Sequence, residues 1–328
     1  MREGFAATIE SKGAQTESTE FLRSTTNQQV DIYRGVGSAI DPDMTIDEMV
    51  KAAGLNWSVL TSPIKYGDRF EHESSYRKAI YREDTGKLLD TVGSSWQPFQ
   101  NLRIVETFNT FCRDNGLAID HLGSLDGGRC VFATAFLNEQ FSIFGCDDVT
   151  SKILLTNYHK QGYGLKIDLM AIRLVCKNGM TLPVRVGSKV ISHVGFYDNQ
   201  KVSQTLAGAK NNFKQYQQQS EVLAQTPIDD AQAVMLLINS FGVPGLPLEE
   251  QPKVVQTCFN LFKGEGQGSE LLSAYQTAWG LLNSVTEYTC HKSQIRGGME
   301  THLSSLWMGS KGNKQNSFMN QLVSVYIE

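Results

Sequence analysis

Residues 157–166 place Tyr158 and Tyr163 beside His159, Lys160 and Lys166, with Gly162 and Gly164 among them. An aromatic ring offers its face to any base and an ammonium its charge to any phosphate. The interleaving therefore suits sequence-tolerant binding of single-stranded nucleic acid. A plain hairpin turn uses the same residues, with lysines keeping a sheet edge from pairing with another chain. Lys152 lies upstream, and Arg173, Lys177 and Arg185 lie downstream. If residues 173–177 are extended, Arg173 and Lys177 share one strand face. The expected interface has Lys152, Lys160, Lys166, Arg173, Lys177 and Arg185 on phosphates, Tyr158 and Tyr163 under bases, and His159 between them.

A second set, Asn283, Glu287 and His291, falls at i, i+4 and i+8. On a helix these side chains line one face. Glu and His one turn apart suit a metal or an acid–base pair. They equally suit a buried polar line bonded to a neighbouring helix. Glu287 and His291, with His159 as a further candidate, would make the centre of a metal- or His-dependent hydrolase. No HExxH, EF-hand or P-loop pattern strengthens that alternative, and Gly35-Val36-Gly37 lacks the rest of a dinucleotide fingerprint. The six cysteines, at 112, 130, 146, 176, 258 and 290, form no CxxC pair. They read as reduced, mostly buried thiols, and Cys176 with His159 lacks the surroundings of a nucleophile. Lys311-Gly312-Asn313-Lys314 is a basic turn leading into a helix, whose free N–H groups suit an anion.

Charge distribution sharpens the first reading. The chain has 328 residues, 30 Lys+Arg and 34 Asp+Glu, a net charge of −4 that argues against a uniformly basic nucleic-acid binder. Residues 151–220, however, hold ten basic side chains against Asp168 and Asp198, or +8, while the rest of the chain carries −12. A local field of that sign attracts polyanions whatever the total. No apolar run approaches the ~18 residues of a membrane span. The first twenty residues lack the apolar stretch of a secretory signal, so a cytoplasmic protein is expected.

Positioning these groups requires a sheet and several helices. Thr45-Ile46-Asp47-Glu48 is a capping box that starts a short helix closed by Gly54. Residues 56–60 read as a strand, and residues 76–82 and 87–92 as a hairpin across Asp84-Thr85-Gly86. Residues 101–113 show a helical apolar period ending before Gly116. Residues 117–125, 129–137, 149–158, 165–175 and 184–194 read as further strands. Beyond residue 200 the periods are helical, over 203–224, 229–241, 252–262, 270–292 and 314–325. The sequence thus predicts an α+β fold: a polar, mobile tail over 1–29, a largely antiparallel sheet domain with packed helices over 30–200, and a helical region over 201–328 packed on it.

Four ordered segments carry a resemblance: VGSSWQPFQN at 92–101, LLTNYH at 154–159, RLVCKN at 173–178, and WGLLNSVTEY at 279–288 with His291. Together they resemble the phage- and plasmid-encoded family built on the domain of unknown function numbered 932, over about residues 30–325. Tyr158 and Lys160 stand where that family more often has a small polar and an acidic residue. The resemblance implies a mobile-element gene and no particular activity. The order of a capped helix, Trp57, a hairpin and a long helix is also similar, in topology alone, to ring-forming single-strand annealing proteins. The expected function is therefore single-stranded DNA binding in annealing or recombination, by a homo-oligomer without cofactor or membrane. A host-protein-binding inhibitor of defence, presenting its basic face to an acidic partner, is a further alternative.

Overall fold

Local signals set most of the elements. The computed structural model describes residues 32–182 and 199–328. Thr45 caps helix α1 (Ile46–Ala52), and Glu48 bonds back to the cap in a complete capping box. Strands β2 (Val59–Tyr66), β3 (His72–Arg82) and β4 (Leu88–Gly93) form a three-stranded antiparallel sheet. Gly86 takes the left-handed conformation that the β3–β4 turn requires, at φ 67°. Helix α2 (Asn101–Asp114) follows, burying Ile104, Val105, Phe108 and Phe111.

The main sheet has six antiparallel strands in the order β1-β5-β6-β7-β8-β9. These are β1 (Ser38–Ala39), β5 (Ile119–Leu125), β6 (Cys130–Ile143), β7 (Asp147–Tyr158), β8 (Leu165–Arg173) and β9 (Asn178–Leu182). The chain then runs through α3 (Asn199–Gln225), α4 (Asp230–Phe241) and α5 (Lys253–Asn260). It ends in α6 (Ala278–Glu287), α7 (Met299–Met308) and α8 (Ser310–Tyr326). The fold is α+β, antiparallel sheets with helices followed by a helical C-terminal region. Residues 33–328 make one compact unit.

Both faces of the six-stranded sheet are covered, which explains why β7 is buried almost throughout instead of alternating. On one face Val131, Ala133, Ile153, Leu155, Leu169 and Ala171 join a core completed by α2, α3, α6 and α8. On the other, Phe132 packs edge-on to Trp307 of α7 at 5.0 Å, and Tyr33 stacks on His121 at 3.6 Å.

Several sequence expectations shift. β2 begins at Val59 and runs to Tyr66, later and longer than residues 56–60. Residues 270–277 are irregular, and the helix expected there begins only after its N-cap Thr277. Tyr275, within the expected helix, is accordingly 63% exposed on this irregular segment. α7 and β9 had no counterpart in the periodicity. β8 stops at Arg173, and Lys177 sits in a turn at φ 53°, so Arg173 and Lys177 do not share a strand face. The tail at 1–29 and the strand expected at 184–194 fall outside the described residues.

Candidate functional site

The β7–β8 loop is held from both ends. The His159 N–H donates to the Arg129 carbonyl at 2.8 Å. The Gly93 N–H, at the end of β4, donates to Gln161 Oε1 at 2.7 Å. Between these anchors the loop presents its rings and charge together. Lys160 Nζ lies 4.8 Å from the Tyr163 ring centroid, and the Tyr163 and Tyr158 rings meet at 5.4 Å, tilted by 54°. Tyr163 is 48% exposed. Tyr158 is half-buried, its hydroxyl donating to Met308 Sδ at 3.2 Å, and burial pushes its phenol up.

The Gln161 anchor also brings the smaller sheet beside this loop. The Ser94 N–H, next to Gly93, donates to the Tyr76 carbonyl at 3.0 Å, and the Tyr76 ring is 72% exposed. Its neighbour Arg77 is exposed on β3, with its guanidinium on the Thr91 hydroxyl at 3.0 Å. Tyr76 is thus tied through its main chain to the strand end that Gln161 holds against the loop of Lys160 and Tyr163. Sequence reading missed Tyr76, because a single Gln161 side chain, remote in sequence, makes the link.

Of the other described cations of the basic block, Lys152 and Arg173 face inward, while Lys166, Lys177, Lys210 and Lys214 are exposed. Lys152 is buried, ion-paired with Asp120, bonded to the Tyr33 hydroxyl at 2.9 Å and set over the Phe136 ring. Arg173 is buried with both arms on Asp147, Nε at 2.7 Å and Nη2 at 2.8 Å, and it also reaches the Gln267 and Gly268 carbonyls. Lys166 pairs with Asp168 at 2.9 Å, and Lys210 with Glu139 at 3.1 Å. Burial pushes the Asp168 carboxyl up, against the pull of Lys166. Lys177 is exposed on its turn, and Arg185 lies outside the described residues. The expected phosphate grip by Lys152 and Arg173 therefore gives way to structural ion pairs. Their partners, Asp120 and Asp147, come from outside the basic block.

His159 also turns inward. Its Nε2 is 2.9 Å from Asn101 Oδ1, and its ring is edge-on to Trp57 at 5.8 Å. Asn101 Nδ2 donates to the Leu55 and Trp57 carbonyls, while Gln100 makes two bonds to the Val59 main chain. Residues of the 92–101 and 154–159 segments thus lock β7 and α2 to the start of β2.

The 173–178 and 279–291 segments meet at a second junction. Trp279 Nε1 and Ser273 Oγ donate to the same Asp147 that holds Arg173, at 2.9 and 2.6 Å. Asn283 bonds within its own helix, to the Trp279 carbonyl at 2.8 Å. Glu287 is buried and accepts the Gln267 N–H at 2.9 Å. Burial raises its carboxyl, opposed by that bond and by Lys292 and Arg173. At Tyr288–Lys292 the helix widens into a π-turn, which breaks the straight i, i+4, i+8 line. His291 there is held by Arg34 at 2.9 Å and the Cys176 carbonyl at 3.1 Å. The Asn178 amide lies 2.9 Å from His291 Nε2 and 3.2 Å from the Glu287 main-chain nitrogen.

The hydrolase centre is not assembled by these contacts. His159 bonds Asn101, Glu287 bonds the 267 loop, and His291 bonds Arg34. Among the described residues no three His, Cys, Asp or Glu side chains are grouped to hold a metal. Cys176 is buried beside Arg173, and burial pushes its thiol up to about 11, unsuited to a nucleophile.

Two antiparallel sheets, helices on both sheet faces and polar junctions that join the 92–101, 154–159, 173–178 and 279–291 segments define an α+β protein. Residues 88–307, two-thirds of the chain, match the family model described as Domain of unknown function (DUF932), and the chain belongs to that family. All four motif segments lie within this span. No curated protein and no solved structure matches the chain.

Proposed function

We propose that this protein binds single-stranded DNA through the surface formed by the β7–β8 loop and the neighbouring edge of the β2–β4 sheet. Lys160 set over the half-exposed Tyr163, with Gln161 tying the loop to Gly93, is the observation that carries the reading. A ring held at the surface stacks a base, while the adjacent ammonium meets its phosphate. Tyr76 on β3 extends the contact; Arg173 and Lys177 stand at the opposite end of the β7–β8 pair, where Arg173 faces Val149, and lie away from it. Strand annealing or recombination for a phage or mobile element, by a cytoplasmic oligomer without cofactor, is the biological role that fits such a surface. Anisotropy of a labelled oligonucleotide tests it. Binding at low salt that weakens as salt rises, and that Tyr163→Ala weakens at every sequence, is expected. Absence of binding at low salt rejects the proposal.

A further inference from the structure

Helix α4 carries two apolar faces, and the fold covers one of them. Ala233, Leu236 and Leu237 are buried in the core. The helix is tied to the C-terminal half of α8, where Gln321 Nε2 donates to the Leu236 carbonyl at 3.2 Å and Phe241 meets Phe318 at 5.6 Å. Ala231, Val234, Met235 and Ile238, at i, i+3, i+4 and i+7, line the other side. With Pro244 and Gly245 of the following loop they wall an open groove of about 590 Å³. Met235 is 54% exposed, and Val243 and Leu246, on either side of Pro244 and Gly245, are exposed as well. A helix apolar all round belongs in a packed interior, so this outer face is shaped for contact with another surface.

Charge indicates what that surface is. Between Lys214 and Lys253 the chain has no basic residue, and its charged side chains are Glu221, Asp229, Asp230, Glu249 and Glu250. Asp229 and Asp230 open α4, and Glu249 and Glu250 follow the groove loop, so acids flank the groove at both ends. Lys263 offsets Asp230 at 2.8 Å, while among the described residues no ion pair engages the exposed Glu249 or Glu250. The same chain carries the complement. No acid lies between Glu287 and Glu300, and there Ile295 is 41% exposed with the exposed cations Lys292 and Arg296 beside it. Arg296 bonds the neutral Gln294 Oε1 at 3.3 and 3.2 Å, and Glu287, the carboxylate that feels Lys292, holds the Gln267 N–H. Lys311 fixes this segment to the first turn of α8 by donating to the Gln294 carbonyl at 3.2 Å. Gln321, which holds α4, stands about 15 Å further along the α8 axis. Knob and groove thus lie toward opposite ends of α8 and do not meet within one chain.

We propose that the acidic groove of α4 receives the Ile295 segment of a second copy of this chain. Ile295 sets its side chain against the exposed Met235, and Lys292 and Arg296 meet the acids that flank the groove. Burial of the apolar side chains supplies the affinity, and the opposite charges set the register and speed encounter. Groove and knob are different patches, so the contact is heterologous. Each copy offers one of each, and repetition closes a ring or extends a filament. The contact shares no residue with the β7–β8 loop and does not depend on nucleic acid.

Sedimentation velocity of the full chain, without oligonucleotide, tests the contact. The parent should sediment as assemblies that grow with protein concentration and shrink as salt rises. Met235→Glu spoils the groove and Ile295→Glu spoils the knob. Each variant should sediment as a single chain, with thermal unfolding unchanged because both side chains are exposed. Mixed in equal amounts, the two should form a dimer and nothing larger, since one brings an intact knob and the other an intact groove. A parent that stays single at every concentration overturns the proposal, which is also the result if the groove takes only a segment of another protein. Assemblies that survive either substitution, or a mixture that stays single, overturn it as well. Oligonucleotide anisotropy on the same variants reads the β7–β8 surface separately. Absence of binding there, with assembly of the parent intact, rejects the DNA reading and leaves this contact standing.

Discussion

Asp147 and Arg173 form a two-bond ion pair that is almost wholly removed from solvent, and the Asp147 carboxylate also accepts from Ser273 and Trp279. Main sheet and helical region are joined through this one carboxylate, since Asp147 and Arg173 belong to β7 and β8 and Trp279 to α6. Removing one member leaves a buried charge without its counterpart, which costs about 3–5 kcal/mol. Asp147→Ala should therefore lower unfolding free energy by that amount in a denaturant titration. Arg173→Met should lose as much, because Asp147 then stays buried and charged. A loss under about 1 kcal/mol in both would mean that the junction does not stabilise the fold.

Gly280 lies where the irregular 270–277 segment crosses α6. A Cβ at that position would stand 1.8 Å from the Ala274 carbonyl oxygen. Backbone cannot yield as a flexible side chain does, so overpacking of about 1–3 kcal/mol or more is expected for Gly280→Ala. Thermal unfolding of the variant measures it. An unchanged midpoint would show that the segment moves aside freely.

Thr45 offers a smaller and purely local effect. Its hydroxyl accepts the Glu48 N–H while the Glu48 carboxylate accepts the Thr45 N–H. Thr45→Ala should cost about 1 kcal/mol. That locality is why the α1 start was legible in sequence, as were the Gly86 turn and the apolar period of α2. Each depends on residues within a few positions of one another. The basic block was legible as a composition but not as a surface. Asp120 and Asp147, which neutralise Lys152 and Arg173, are brought to them only by the pairing of β5, β6, β7 and β8. Likewise the 270–292 period could not reveal Thr277 as a cap, nor that α6 would open into a π-turn before His291. The candidate loop could be read at Tyr158, Lys160 and Tyr163, whereas Tyr76 entered through one long-range bond of Gln161.

Lys152 and Lys160 separate the two uses of basic charge in one experiment. Lys160 stands at the surface, so Lys160→Ala should weaken oligonucleotide binding alike across sequences and reduce the salt slope by about 1. Lys152→Ala should instead destabilise the fold by about 3–5 kcal/mol, because Asp120 loses its partner. Under conditions where it remains folded, its salt slope should match that of the parent. Equal slopes for Lys160→Ala and the parent would remove Lys160 from the interface.

His302 makes stability depend on pH in a definite direction. In the unfolded chain its imidazole takes a proton near 6.5, whereas in the fold burial and Lys311 hold it down to about 4. Between those values the unfolded state binds a proton that the folded state refuses, so stability falls as pH drops from about 6.5 to about 4. The full difference corresponds to about 3 kcal/mol, with most of the loss complete at the lower limit. His302→Gln keeps a donor for the Cys290 carbonyl and an acceptor for Lys311 but cannot titrate. Carboxylates raised by burial, such as Asp168 and Glu287, act in the opposite sense in both proteins and cancel in the comparison. Denaturant unfolding of the pair across this range should give a parent that loses stability more steeply than His302→Gln. Parallel curves would mean that His302 carries its ordinary pKa in the folded chain.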